Sequence, residues 1–248
     1  MRRAFLALHR NEELFAAGLK RGGFEICRGE NFRPGDVLVT WNRMARVRPQ
    51  CLRAEQAGAR VLVVENGYTG SPDKLFAIAL DHHAGAGTWH VGTEPRWQKQ
   101  GIEPQPWRQD GEHVLVLAQR GIGEPGIAMP RGWPEEAARR LKRMTRRPVR
   151  VRSHPGRETN PTPLEDDLRN AWCTVTWGSG AGVKALVAGV PVFHALPAWI
   201  GRPAARPFGD DIEDPYLGPR ETMLQRLSWS QWSRNEIEAG EPFQCLPR

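Results

Sequence analysis

Short apolar runs alternate with helix-length segments along most of this chain, and this alternation restricts the folds open to it. The run from Ala4 to His9 precedes a helical stretch for which Asn11 is the expected N-cap, and the run from Asp36 to Thr40 precedes another that begins at Pro49. Strands that alternate with helices indicate βαβ units, whose neighbouring strands lie parallel in one sheet. The pattern predicts an α/β fold.

The alternation occurs in two sets. Runs at Val61 to Val64 and Leu75 to Leu80 complete the first set, and residues 84–111, rich in Gly, Pro and Trp, interrupt the pattern. The second set contains the runs Val114 to Ala118, Val149 to Val151, Thr174 to Trp177 and Val190 to Phe193. We therefore predict two small Rossmann-like lobes with a cleft between them. The predicted N-terminal lobe covers 1–108, the second lobe 109–219 and a helical tail 220–248.

Composition restricts the class of protein and of partner. The formal net charge is +7, and 30 of the 35 cationic residues are arginine. Arginine binds phosphate and carboxylate groups in a bidentate manner, so the charge favours anionic partners, although a GC-rich genome would produce the same bias. No apolar run approaches the roughly 20 residues that cross a bilayer. The apolar stretch at the N-terminus is also too short for a signal peptide, so we expect a cytoplasmic protein.

Metal-binding patterns are weak in this sequence. The four cysteines form no CxxC pair, and His82, His83 and His90 lack a Cys or Glu at ligand spacing. We predict no metal site and reduced, structural cysteines.

The clearest candidate site is the sequence WGSGAG, which follows an apolar run and opens a helix. Gly178, Ser179 and Gly180 let a ligand approach the backbone closely, and the N–H groups of the helix N-terminus favour a phosphate. Ser179 is the natural N-cap, and Lys184 lies one turn further along. An ordinary strand-to-helix turn has the same pattern, so both interpretations stand at this stage.

Other candidates follow the remaining strands of the second lobe, because parallel sheets bind ligands at the carboxyl ends of their strands. Gln119 and Arg120 follow one strand, and His154 and Pro155 follow another that ends near Arg152. A histidine before proline has an extended backbone and can donate to a phosphate, and Arg152 suits a diphosphate or an acidic sugar. The alternative for His154 is a surface residue before a turn.

In the first lobe, Glu65 is an isolated acid at the end of an apolar strand. Partial burial raises the pKa of such a carboxyl group, which would suit a general base. The alternative is an acid that braces a loop. Asp81, with His82 or His83, is the second candidate because it also follows a strand.

The segment from Arg139 to Arg152 contains eight basic residues and no acid. Such a run is usually a solvated helix face. With Trp133, Trp172 and Trp177 nearby in sequence, it could also follow a nucleic-acid backbone.

Three motifs resemble one family. ENGY (Glu65 to Tyr68), RSHPG (Arg152 to Gly156) and VTWGSGAGVKALVAGVPVF (Val175 to Phe193) resemble, in the same chain order, motifs of capsule polysaccharide biosynthesis proteins, the Kdo transferase-like group. The chain is shorter than family members, and Asn66 replaces a frequent second acid. Its size and C-terminal sequence are similar to those of short phage and prophage proteins of this type.

The resemblance implies a GT-B-like glycosyltransferase. In that interpretation the second lobe binds a nucleotide sugar, with Ser179 and Gly180 holding phosphate and His154 stabilising the leaving phosphate. Gln119 and Arg120 would contact the donor. No cofactor is implied, because arginines and a helix dipole can stabilise phosphate without a metal.

The resemblance also implies an acceptor side in the first lobe. Glu65 would deprotonate an acceptor hydroxyl, with Asp81 as the second choice. The acceptor is a glycan or, in a phage DNA-modifying enzyme, a hydroxylated DNA base. The alternative outside enzymes is a non-catalytic module that binds nucleotides or nucleic acid.

Overall fold

The structure is a computed structural model that describes residues 2–69, 75–83, 85–154, 162–209 and 211–246. The chain divides into two compact units. Unit 1 comprises residues 1–96, 122–124 and 225–248, and unit 2 comprises residues 97–121 and 125–224.

The strands of the described residues are, in chain order, β1 (Arg2–Ala7), β2 (Phe24–Cys27), β3 (Val37–Trp41), β4 (Arg60–Asn66), β5 (Leu75–Leu80), β6 (His113–Leu117), β7 (Val149–Arg152), β8 (Ala171–Thr176), β9 (Val192–His194), β10 (Arg206–Pro207) and β11 (Gln231–Ser233). The α-helices are α1 (Glu12–Arg21), α2 (Arg48–Gln56), α3 (Arg96–Lys99), α4 (Trp133–Met144), α5 (Leu164–Leu168), α6 (Gly180–Val187), α7 (Glu221–Ser230), α8 (Arg234–Ala239) and α9 (Glu241–Gln244).

Unit 1 contains a six-stranded sheet in the order β11-β5-β4-β3-β1-β2. Strands β1 to β4 pair in parallel, whereas β5 pairs antiparallel with β4, and β11 antiparallel with β5. Helices cover both faces. Phe15 of α1 and Phe243 of α9 pack with Trp41 and Phe76 on one face, and Cys51 of α2 packs on the other. Because both faces are buried, β3 is apolar along nearly its whole length.

Unit 2 contains a five-stranded sheet in the order β10-β9-β8-β6-β7, and every neighbouring pair is parallel. Helix α4 packs Trp133, Ala137 and Leu141 against Cys173 and Val175 of β8. Helix α6 lies on the opposite face of β8, where Gly182 approaches the Thr176 side chain.

The predicted fold class is confirmed. Both units are α/β and Rossmann-like, and the second set of apolar runs forms a wholly parallel sheet. The first set differs from the expectation because β5 runs antiparallel. Apolar runs indicate burial but do not indicate strand direction.

The C-terminal segment is not a separate helical tail. The predicted boundaries lie at residues 108 and 219, whereas residues 225–248 belong to unit 1 and unit 2 begins at Trp97. Trp232, Ile237 and Phe243 are buried in the unit 1 core, and β11 interrupts the predicted helix. Three residues are too few to show a strand period within a helical pattern. The four-residue β2 has no predicted counterpart either.

Three further predictions concern the N-cap of α1, metal sites and membrane-spanning helices. Asn11 occupies the N-cap position of α1 as predicted, but its backbone is left-handed, with φ 55°, and its side chain makes no capping hydrogen bond. Within the described residues there is no group of three or more His, Cys, Asp or Glu side chains that could hold a metal ion. None of the helices in that part of the chain has the length and apolar character needed to cross a membrane.

Candidate functional site

The strand order of unit 2 creates a topological switch point between β6 and β8. From β6 the chain proceeds through α4 to β7 on one side, and it then returns through α5 to β8 on the other side. Ligands bind at such points because the loops that follow the two strands diverge and leave a crevice at the carboxyl ends. Two of the predicted groups, around Gln119 and Gly178, follow these two strands.

A side-chain bond joins the two loops at the switch point. The backbone N–H of Gly178 donates to Oε1 of Gln119 at 2.9 Å. This hydrogen bond fixes the loop after β6 against the loop after β8. The structure therefore brings together residues that lie 59 positions apart in sequence.

The predicted N-cap of α6 is confirmed. Ser179 Oγ accepts a hydrogen bond from the Gly182 N–H at 3.1 Å, and Thr176 Oγ1 donates to Ser179 Oγ at 3.0 Å. The Ser179 N–H donates to Thr176 Oγ1, also at 3.0 Å. Because these groups are engaged within the protein, the N–H groups available by helix geometry for an anion are those of Gly180 and Ala181.

Packing explains two of the glycines in this motif. A Cβ on Gly178 would lie 2.9 Å from Leu196 Cδ2, and a Cβ on Gly182 would lie 2.9 Å from Trp199 Cζ2. The buried Leu196 and Trp199 therefore leave little room for a side chain at either position. The glycine-rich sequence reflects this close packing as well as any ligand.

His154 follows β7, the strand beside β6, and its side chain is exposed. Partial desolvation lowers its pKa, and the positive charge of Arg120 lowers the pKa further. The structure therefore places Arg120 and His154 within electrostatic range of each other. A histidine with a lowered pKa is neutral at pH 7 and has one N–H to donate.

Three other predicted residues of unit 2 have different surroundings. Arg152 forms an ion pair with Asp167, and its Nη2 donates to the backbone oxygen of Thr162 at 2.9 Å. The Arg152 guanidinium thus braces the segment before α5. Lys184 is exposed on α6, and Pro155 lies outside the described residues.

In unit 1, Glu65 lies near the carboxyl end of β4 with a partly buried side chain. Its Oε1 accepts a hydrogen bond from Tyr68 Oη at 2.5 Å and lies 4.0 Å from His83 Nδ1. Burial raises the pKa of the Tyr68 hydroxyl well above its usual value, and the Glu65 charge raises it further. Tyr68 therefore remains a hydrogen-bond donor to Glu65 at all physiological pH values.

A residue that sequence reasoning missed holds the turn after Glu65. Gln231 of β11 is fully buried, and its Oε1 accepts from the N–H groups of Tyr68 at 2.5 Å and Thr69 at 3.1 Å. Its Nε2 donates to Thr69 Oγ1 at 2.9 Å. Gln231 lies 162 positions after Thr69, and a single glutamine has no local sequence pattern that would identify it. Only the long-range pairing of β11 with β5 does so.

Asp81 follows a strand as predicted, but that strand ends at the opposite end of the sheet from Glu65. Because β5 runs antiparallel to β4, Leu80 pairs with Leu62, and the Asp81 N–H donates to Val61 O at 2.6 Å. Asp81 therefore lies beside the amino end of β4, whereas Glu65 lies near the carboxyl end of that strand. Arg60 also binds both of its carboxylate oxygens, at 3.2 and 2.6 Å. Asp81 is thus engaged by Arg60 and lies away from Glu65.

Comparison with solved structures identifies the fold. A structure titled Thermosulfurimonas dismutans KpsC, beta Kdo 2,7 transferase, has a TM-score of 0.61 over 97% of this chain and 98% of that chain, at 12% identity. A second, titled as the beta Kdo 2,4 transferase of the same organism's KpsC, has a TM-score of 0.60 over 92% of this chain and 91% of that chain, at 14% identity.

The chain has the fold of the KpsC Kdo transferases. The resemblance stated from the ENGY, RSHPG and WGSGAG motifs is therefore confirmed at the level of the fold. No family model matches the sequence, and no curated protein matches it. At 12 to 14% identity the fold is what the likeness shows, and the chemistry depends on the residues described above.

Proposed function

We propose that this protein is a glycosyltransferase that moves a sugar from a nucleotide-sugar donor to a hydroxyl acceptor. The observation that carries the proposal is the hydrogen bond from Gly178 N to Gln119 Oε1, because it assembles the two switch-point loops beside the N-terminus of α6. An anion-binding helix N-terminus at a switch point suits a nucleotide phosphate. The KpsC-like fold supports the same class of reaction.

Each donor-side residue has a proposed role. The N–H groups of Gly180 and Ala181 hold a phosphate, and Gln119 and Arg120 contact the donor from the loop after β6. His154 donates its N–H to the leaving phosphate as negative charge develops there. Arg120 and Lys184 supply exposed positive charge in unit 2, so we propose that transfer requires no cofactor.

On the acceptor side, we assign the base role to Glu65. Its carboxylate takes the proton of the acceptor hydroxyl as that oxygen bonds to the anomeric carbon of the donor sugar. The bond from that carbon to the phosphate oxygen breaks, and the electron pair leaves with the phosphate. Tyr68 and His83 orient the Glu65 carboxylate for this step. Arg60 engages Asp81, which is therefore the weaker candidate.

The acceptor in this proposal is a glycan hydroxyl. A second candidate, a hydroxylated base in DNA, is favoured by exposed cations on α4, on the edge strand β7 and in the segment between them, namely Arg139, Lys142, Arg143, Arg146 and Arg150. Duplex-DNA affinity measured at two salt concentrations separates the two. Phosphate contacts give a steep fall of affinity with salt, whereas a glycan acceptor predicts weak DNA binding throughout.

Nucleotide-sugar binding tests the proposal directly. A panel of nucleotide sugars should include at least one that raises the Tm, and that compound should be hydrolysed slowly or transferred. Binding without hydrolysis or transfer would favour a non-catalytic module, and no binding at all would contradict the proposal.

The variant Gly180→Asp locates the phosphate. An acid in the first turn suits the helix dipole, so the fold should be kept, while the carboxylate occupies the phosphate position. Nucleotide affinity should fall at least about tenfold, or about 1.4 kcal/mol. Ala188→Asp adds the same charge at the other end of α6 and should leave affinity unchanged. Equal affinities for both variants would contradict the assignment.

A further inference from the structure

Arg43, the second residue after β3, lies at the centre of a buried ion cluster in unit 1. Its side chain is only 4% exposed, and its Nη1 and Nη2 donate to the two carboxylate oxygens of Glu55 at 2.8 and 3.0 Å. Its Nε lies 3.4 Å from Glu124 Oε1, and Glu124 also pairs with the exposed Arg48 at 3.0 Å. A buried guanidinium needs such partners, because an unpaired charge away from water is strongly unfavourable.

The Arg43 guanidinium also binds a backbone group. Its Nη1 donates to the backbone oxygen of Asp81 at 2.5 Å, a contact between residues 38 positions apart in sequence. Asp81 is the first residue after β5 and begins a turn, called here the β5 turn, whose described residues are 81–83 and 85–87. Arg43 therefore fixes the start of the β5 turn to the loop that follows β3.

The β5 turn is closed by its own backbone. The N–H groups of Ala86 and Gly87 donate to the backbone oxygen of His83 at 2.8 and 2.7 Å. A Cβ on Gly87 would lie 2.5 Å from the backbone oxygen of His82, so the turn has no space for a side chain at that position. Because the turn is hydrogen-bonded and closely packed, a contact at its first residue also determines the position of its later residues.

The later residues of the β5 turn contact the Glu65 site. His83 Nδ1 lies 4.0 Å from Glu65 Oε1. The Gly85 N–H donates to the Tyr68 hydroxyl, which in turn donates to the same Glu65 oxygen. Two groups of one turn thus act, directly or through Tyr68, on one carboxylate.

We infer that Arg43 is a positioning residue for the Glu65 base, an inference that rests on the proposed function. Through the Asp81 carbonyl, Arg43 holds the β5 turn, and the turn holds His83 beside Glu65 and braces Tyr68. Without the guanidinium, the Asp81 carbonyl loses this donor and the turn moves relative to Glu65. The rate of sugar transfer then falls, because a displacement of about 1 Å can cost a factor of about 10².

The variant Arg43→Gln tests this inference, because glutamine is too short to bind both Glu55 and the Asp81 carbonyl. The kcat of sugar transfer should fall by about 10- to 100-fold, whereas the Kd of the nucleotide sugar should stay unchanged. Two controls keep the contact between Arg43 and Asp81. Glu55→Gln retains an acceptor for Arg43, and Arg48→Gln removes the exposed partner of Glu124. Both controls should have a kcat close to that of the unaltered protein.

A double-mutant cycle with Glu65→Gln separates positioning from a general loss of structure. If Arg43 acts through Glu65, Arg43→Gln should cause no further loss of kcat in the Glu65→Gln background. A loss by the same factor in both backgrounds would overturn the inference. If Arg43→Gln alone does not fold, the combination of Arg43→Gln and Glu55→Gln removes both members of the buried pair and takes its place in these measurements.

Hydrogen exchange provides a readout that does not depend on the reaction. The Gly85 amide should exchange several-fold faster in Arg43→Gln than in Arg48→Gln, because the β5 turn loses its anchor in the first variant only. Equal exchange rates in the two variants would contradict the inference.

The outcomes separate this inference from the proposed function. A normal transfer rate in Glu65→Gln would overturn the assignment of the base, and the inference about Arg43 with it. A large loss in Glu65→Gln together with a normal kcat in folded Arg43→Gln would overturn the inference alone.

Discussion

The two sheets of this protein differ in strand direction, and this difference decides where their functional groups lie. In unit 2 every pair of neighbouring strands is parallel, so the residues that follow the strands lie at one end of the sheet. They include Gln119, His154 and Gly178. In unit 1, β5 is antiparallel to β4, so Asp81 after β5 and Glu65 near the end of β4 lie at opposite ends of the sheet. The rule that ligands bind at carboxyl ends therefore has to be applied strand by strand.

The candidate sites also differ in how they are built. The unit 2 site uses backbone N–H groups and exposed side chains such as Arg120 and His154. The unit 1 site uses buried hydrogen bonds among Glu65, Tyr68 and Gln231. Substitutions in unit 2 should thus change ligand binding or rate with little loss of stability, whereas those in unit 1 should affect stability as well.

The largest effect is expected at Glu65. Glu65→Gln keeps the shape and can accept the Tyr68 hydrogen bond, but it cannot take a proton. The rate of sugar transfer should fall by a factor of about 10² to 10⁴, the usual contribution of a general base. Donor affinity should stay the same within about twofold, because the donor binds to unit 2 in our proposal.

Asp81→Asn is the matched control for Glu65. The transfer rate of Asp81→Asn should be close to that of the unaltered protein, because Asp81 lies at the opposite end of the sheet from Glu65. A normal rate in Glu65→Gln and a large loss in Asp81→Asn would reverse the assignment of the base.

The next effect is expected in unit 2. His154→Ala should lower kcat by about 10² to 10³, as for the loss of one transition-state donor. The exposed position of His154 means that the urea midpoint should hardly change. An unaltered kcat would show that His154 is a surface residue with no part in the reaction.

Stability should distinguish the two glutamines. Gln231→Ala leaves the Tyr68 and Thr69 N–H groups buried without their acceptor, which should cost about 2 to 4 kcal/mol of unfolding free energy. Gln119→Ala removes one partly exposed bond and should cost about 1 kcal/mol. Urea unfolding of both variants provides the comparison, and equal losses would contradict the contrast between the units.

The smallest effect concerns pH. The pKa of His154 is lowered in the free protein, first by desolvation and then by Arg120. A bound phosphate favours the protonated imidazole, so the pKa is higher in the complex. Affinity for a nucleotide sugar should therefore rise several-fold as the pH falls through the pKa of the complex, and level off below that of the free protein. In His154→Asn this dependence should be absent.

Sequence predicted most of the elements and some of the site. The bounds of β5 match the apolar run from Leu75 to Leu80, and Ser179 caps α6 as expected, because both depend on local patterns. The direction of β5, the strand β11 and the role of Gln231 depend on long-range pairing, which leaves no local pattern. The roles of Glu65 and His154 remain predictions, since they depend on a ligand.

The position of β11 has a consequence for how the chain is made. Gln231 pairs with Ala77, and unit 2 lies between these two residues in sequence. During synthesis the ribosome therefore releases all of unit 2 before it releases the last strand of unit 1. Unit 2 can fold while it emerges, whereas unit 1 holds an unpaired β5 edge until β11 has been made. Removal of residues 225–248 should consequently disrupt the sheet of unit 1 and leave the sheet of unit 2 intact.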